Sequence, residues 1–95
     1  MIYTYEQGNP SDPAVVFLHG GGLSHASWLP VIEHLPDFHC LAPDLPGHGK
    51  SQDIPFTLEG SARAVAEIIK EKTPHGKAHI VSLSLGGAVA LTLLR

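Results

Sequence analysis

Apolar and polar residues alternate across Ile2–Tyr5 with the period of a short half-buried strand, and the turn formers Gly8-Asn9-Pro10-Ser11-Asp12-Pro13 must end it. Ala14-Val15-Val16-Phe17-Leu18 is apolar without interruption and rich in β-branched residues. That pattern predicts a central parallel strand covered on both faces, stopping at His19-Gly20-Gly21-Gly22. Trp28, Val31, Ile32 and Leu35 then fall at i, i+3, i+4 and i+7, the spacing of one helix face. Ser27 is placed to cap this helix, with Pro30 tolerated in its first turn and Pro36 closing it. Strand character returns over Phe38-His39-Cys40-Leu41-Ala42, and the glycines and prolines of Pro43-Asp44-Leu45-Pro46-Gly47-His48-Gly49-Lys50-Ser51 predict a long ordered loop. Thr57 opens a second helix with Leu58, Ala62, Val65 and Ile69 on one face, ended by Thr73-Pro74. A third long strand, Ala78–Leu83, leads through Ser84-Leu85-Gly86-Gly87 into Ala88–Leu94, a run apolar enough on all sides to predict a buried helix. Strand, helix, strand, helix, strand, helix is the order of a parallel α/β sheet.

Composition removes several classes of function. With 43% hydrophobic and 16% charged residues, the chain has more to bury than a disordered segment, and 95 residues make no more than one domain. Six Lys+Arg against nine Asp+Glu, with no basic run, lack the electrostatic footprint of a nucleic-acid binder. No apolar stretch approaches a bilayer span, and Met1-Ile2-Tyr3-Thr4-Tyr5-Glu6 has no cationic start of an export signal. The single cysteine, Cys40, has no partner for an internal disulfide and sits inside a strand, where burial outweighs reactivity. The expectation is a soluble, cytoplasmic protein with no nucleic acid or membrane as partner.

Candidate chemistry collects at the carboxyl ends of the predicted strands. Ser84 stands between the small residues Ser82 and Gly86 where a buried strand changes into a helix. A sharp turn there brings neighbouring backbones so close that large flanking side chains would collide, and it lifts the central side chain above the sheet. The Leu85 amide, at the amino terminus of the following helix, is placed to stabilise negative charge on an oxygen bonded to Ser84. A second donor is available in His19-Gly20-Gly21-Gly22, whose glycines let backbone approach a ligand closely. In open α/β sheets ligands bind at this end, near a switch in strand order.

These motifs resemble the amino-terminal half of the α/β-hydrolase fold family. The resemblance rests on His19-Gly20-Gly21-Gly22 after the first long strand, Trp28 on the next helix, Pro43 to Ser51 after the second long strand, and Ser82-Leu83-Ser84-Leu85-Gly86-Gly87 at the elbow, all in family order over nearly the whole chain. It implies a mostly parallel sheet truncated after the elbow helix. It makes Ser84 the nucleophile and Leu85 one oxyanion donor, with Gly21 or Gly22 the other, Gly21 being preferred because it directly follows His-Gly. His19, Asp44, Gly47 and Gly49 match loop-holding positions. The implied reaction is cleavage of an ester or similar acyl bond of a small neutral molecule, with no cofactor. The family supplies its triad in the order nucleophile, acid, histidine, and few residues follow Ser84, so both partners are missing from the sequence. Isolated, the chain is then expected to be nearly inert. The alternative is a binding or scaffold protein that keeps the fold without the triad, or a truncated product with no function.

Other readings fall away. His75 and His79 are four apart, but Pro74 and Gly76 deny them the helix that would make them a metal pair. A dinucleotide-binding reading of Gly20 and Gly22, with Asp44 as ribose acid, fails because His25 occupies the third glycine position and the helix begins too late, near Trp28. His25 and His48 lie on loops at the Ser84 end of the sheet, and no third group in the sequence is evident to orient either as a base. The last apolar helix reaches Arg95 without a Gly, Asn or Pro to stop it, so residues 1–95 are expected to be a partial core domain whose unpaired final strand promotes self-association.

Overall fold

The computed structural model describes residues 2–94, and they form a four-stranded mixed sheet with helices on both faces. The strands are β1 (Thr4–Gln7), β2 (Ala14–Leu18), β3 (His39–Pro43) and β4 (His79–Ser82), in the spatial order β1-β3-β2-β4. β2 pairs in parallel with β3 and β4, whereas β1 runs antiparallel to β3. From β2 the chain moves to β3 on one side and then crosses to β4 on the other. The carboxyl end of β2 is therefore the switch point at which open α/β sheets hold ligands.

The pleat of β2 divides the core in two. Val16 and Leu18 face one layer, where Leu41, Leu45, Ala62, Val65, Ile68 and Val89 close over them. Val15 and Phe17 face the other, against Ile32, Cys40 and Ala42, with Trp28 and Leu35 at the margin. Each fully buried Val, Leu or Ile in these layers contributes about 1.5–3 kcal/mol relative to exposure, so β2 and β3, buried at every position, anchor the molecule.

Helix α2 (Leu58–Lys72) begins where Thr57 Oγ1 accepts the Gly60 N–H at 2.9 Å and ends where Thr73 turns into extended backbone ahead of Pro74. Its buried face is Ser61, Ala62, Val65 and Ile68. The expected face differs at both ends: Leu58 is 38% exposed, and Ile68 takes the core position expected of Ile69, which packs at the edge. The helix expected from Ser27 to Leu35 is also reduced. Ser24 is the cap, accepting the Ala26 N–H at 3.2 Å, for a 3-10 turn over His25–Trp28; α1 covers only Leu29–Ile32. Three-residue turns at His34 and Leu35 then replace helical bonds, carrying Leu35 to the sheet while Val31 stays 44% exposed.

Two further expectations are corrected. The first strand lies two residues later than Ile2–Tyr5, because Glu6 and Gln7 pair with β3 through Leu41 and Cys40 and the Glu6 carboxylate is held by His39 at 2.6 Å and Lys72 at 3.3 Å. Helix α3 (Leu85–Leu93) starts earlier than Ala88 and is not buried all round: only Gly86 and Val89 are. Leu91 and Leu94 are 67% and 82% exposed because β4, which α3 follows, is an edge strand with every residue exposed. No helix among the described residues is long and apolar enough to cross a membrane.

Candidate active site

Ser84 occupies the turn between β4 and α3 with φ 53° and ψ −112°, and it is the one non-glycine residue with positive φ among those described. The turn is forced from below. The Leu83 N–H bonds the Leu18 carbonyl at 3.1 Å, and a Cβ on Gly86 would stand 2.5 Å from that same oxygen and 2.8 Å from the His19 carbonyl. Only glycine lets α3 begin this close to the end of β2. Gly86 and Gly87 N–H groups bond back to Leu83 and Ser84 carbonyls at 2.9 and 2.8 Å, while the Leu85 N–H, first in the helix, has no partner among the described residues. The Ser84 side chain is exposed beside it.

The turn after β2 faces this elbow. Its Leu23 N–H closes on the Gly20 carbonyl at 3.2 Å, with Gly22 at φ 76°. A Cβ on Gly20 would be 3.6 Å from Ser84 Cβ and 3.5 Å from Leu23 Cδ1; one on Gly21 would meet Leu85 Cδ2 at 3.8 Å; one on Gly22 would meet nothing within 4 Å. Gly20 and Gly21 thus adjoin Ser84 and Leu85, and Gly22 points into open space.

His19 is fully buried and spends both ring nitrogens on this loop. Nδ1–H donates to the Gly20 carbonyl at 2.8 Å, and Nε2 accepts the Leu45 N–H at 3.0 Å, which fixes one neutral tautomer. Desolvation depresses its pKa, outweighing the opposing bond to Gly20. His19 therefore has no lone pair to offer as a base.

Asp44 is the second buried polar group. Its Oδ1 accepts both the His25 backbone N–H at 2.7 Å and Nδ1–H at 2.9 Å, and Oδ2 accepts the Lys50 N–H at 2.8 Å. Burial pushes the carboxyl up, but the bonds from Lys50 and His25 together hold it below its ordinary value. Gly49, at φ 49°, leaves no room for a Cβ against this carboxylate. His48 braces the same loop, Nδ1 bonding the Pro46 carbonyl at 3.0 Å. Sequence reasoning missed the His25–Asp44 pair. The available signal was that each follows one of two adjacent parallel strands, whose carboxyl-end loops must meet.

An apolar cleft of about 620 Å³, lined by Ile80, Ser84, Ala88 and Leu91 among others, opens on the free side of β4. A groove of about 710 Å³ at the opposite end of the sheet, between Pro13 and Lys77, lies away from Ser84 and has no part in the site.

A strained serine between strand and helix, facing a glycine turn from the neighbouring strand at a switch point, is a strand–turn–helix elbow of the kind the α/β hydrolases carry. Residues 13–95 match the family of the alpha/beta hydrolase fold, and the chain belongs to it. It is 40% identical over 86 residues to an esterase of Mycobacterium tuberculosis, covering 87% of this chain and 28% of that protein. It is 38% identical over 86 residues to the 2-succinyl-6-hydroxy-2,4-cyclohexadiene-1-carboxylate synthase of Citrobacter koseri, covering 88% and 33%. A thermophilic esterase from Thermogutta terrifontis superposes with a TM-score of 0.88 at 33% identity, over 99% of this chain and 35% of that one. The chain spans about a third of the length of these relatives.

Proposed function

We propose that this chain is the nucleophile-bearing part of a cytoplasmic serine hydrolase acting on an ester or similar acyl bond of a small neutral molecule. The observation that carries the reading is the Ser84 backbone. A non-glycine residue at φ 53° costs on the order of 1–3 kcal/mol, and a turn needed only for direction would relieve that strain with glycine. The gain from serine is an exposed hydroxyl next to the unpartnered Leu85 N–H, with the glycine turn after β2 facing it.

In the reaction, Ser84 Oγ bonds to the acyl carbon as its proton passes to a base. The carbonyl electron pair moves onto oxygen, where the Leu85 and Gly21 N–H groups receive it, each supplying on the order of 3 kcal/mol of transition-state stabilisation. Collapse expels the alcohol, which takes up the proton, and water then cleaves the acyl–serine bond. Gly21 is the preferred second donor because it stands against Leu85, whereas Gly22 does not. The esterases among the relatives support this chemistry, and a serine at the elbow argues against members that attack with aspartate.

Within the described residues no histidine hydrogen-bonds Ser84, so these 95 residues alone are expected to react slowly. A fluorophosphonate probe is expected to label Ser84 over hours and the Ser84→Ala variant not at all, about a thousandfold or more below a complete triad. Labelling within minutes would contradict the missing base. No labelling after days in excess probe would contradict Ser84 as nucleophile.

A further inference from the structure

The turn carrying Gly21 contains three consecutive glycines, Gly20 to Gly22, and glycine has little intrinsic preference among backbone conformations. Its shape must be imposed by what grips its ends, and both ends are tied to one buried dipeptide, Asp44-Leu45. On the near side, His19 Nε2 takes the Leu45 N–H. On the far side, His25 gives Asp44 Oδ1 two bonds, from the backbone at 2.7 Å and from the ring at 2.9 Å. Asp44 is itself immobile: it has no exposed surface, its other oxygen is taken by Lys50 N–H, and its own N–H bonds the Tyr3 carbonyl at 2.8 Å.

A histidine held through Nδ1–H by a buried carboxylate has the form of an oriented general base, but its location rules out that role for Ser84. The His25 ring stacks on Tyr5, with centroids 5.9 Å apart and planes 13° apart, and is tilted against Tyr3 at 5.1 Å. It therefore lies over the β1 edge, whereas Ser84 leaves β4 at the other edge, three strand spacings or about 14 Å away. The pair acts on the turn rather than on the hydroxyl.

We infer that His25 is a positioning residue for the oxyanion turn: its ring N–H, bonded to the buried Asp44 carboxylate, fixes the direction in which the Gly21 N–H points toward the substrate oxygen. The backbone bond alone anchors one point of the chain. The ring bond supplies the second point that stops the segment from rotating about the first. This rests on the reading of Gly21 as a donor to an oxyanion formed at Ser84.

Two variants and two readouts test it on the 95-residue chain. His25→Ala removes the ring bond; His25→Asn keeps it, because Asn Nδ2 lies as many bonds from the backbone as His Nδ1 and donates to the same oxygen. In His25→Ala, exchange of the Leu23 N–H is expected to speed up about tenfold while that of Val16 in β2 is unchanged, which separates loss of the clamp from loss of the fold. Phosphonylation of Ser84 at saturating fluorophosphonate is expected to slow about tenfold with unchanged probe affinity, a misdirected donor costing less than a deleted one. His25→Asn is expected to restore both to within about threefold of wild type. Unchanged Leu23 exchange in His25→Ala, unchanged phosphonylation despite faster exchange, or an Asn variant as impaired as Ala would each overturn the inference. A wild type that never labels Ser84 overturns the nucleophile reading, and the positioning role with it; the Leu23 exchange then still reports whether His25 holds the turn.

Discussion

Gly86 and Gly87 are chemically identical neighbours with opposite tolerances. A methyl on Gly86 meets the Leu18 and His19 carbonyls, fixed backbone of the central strand, whereas one on Gly87 comes no nearer than 3.8 Å to Ser82 Oγ. Gly86→Ala is therefore expected to cost about 2–3 kcal/mol in urea unfolding, because neither backbone can yield. Gly87→Ala should stay within about 1 kcal/mol of wild type and on the stabilising side, since alanine favours the helix. Equal effects from the two would show that the elbow is not wedged against β2. The elbow was legible from spacing, since Ser82, Ser84 and Gly86 surround a strand-to-helix change. The preference for Gly21 over Gly22 rests in the sequence on its place after His-Gly alone; how each faces within the turn is a matter of backbone geometry that spacing does not carry. The cap was not legible either: Ser27 immediately precedes the first periodic position, Trp28, yet Ser24 accepts the Ala26 N–H and Ser27 bonds back to the Ser24 carbonyl at 2.8 Å.

Among elements, the strands were easier to read than the pieces between them. An unbroken apolar run such as Ala14–Leu18 leaves few alternatives, but α1 is a four-residue helix whose ends are set by contacts with the sheet, not by its own periodicity. The loops after β2 and β3 were legible as loops, while the bonds joining them, nineteen residues apart in the chain, were not. Those bonds carry a pH dependence. The Asp44 carboxyl, driven up by burial but further down by Lys50 and His25, ends below its ordinary 3.8. Glu6, driven up by burial and further down by His39 and Lys72, ends below its ordinary 4.5. A depressed folded value stabilises the fold in full above the ordinary value and ceases to as pH falls through the folded one. The urea midpoint should fall gently as pH passes down through about 6.5, where the unfolded chain protonates His19 and the fold does not, and should drop again below about pH 4 as Asp44 and Glu6 take up protons. Asp44→Asn should flatten that drop and cost about 2–3 kcal/mol at neutral pH, since its amide turns N–H against N–H. A midpoint that rises on acidification would contradict both assignments.

At the scale of the whole molecule, the two ends of the sheet order are unlike. The β1 edge strand, Thr4–Gln7, is mostly polar and half-buried, but β4 pairs only with β2 among the described residues, and Ile80, Val81 and Leu83 on and just after it are 36%, 39% and 50% exposed. An open edge with apolar side chains on both faces recruits further strands. The isolated 95-residue chain is expected to self-associate, and Val81→Lys to reduce it, as read by light scattering after gel filtration. A monodisperse monomer with a cooperative melt would contradict this. The Leu18 carbonyl has a wider consequence. It seats the elbow by accepting the Leu83 N–H and by standing where Gly86 could bear no side chain. A change at that seat therefore moves the Ser84 turn and the end of β2 together. The Leu23 and Leu83 side chains, exposed beside Ser84, can by contrast be exchanged without touching that seat.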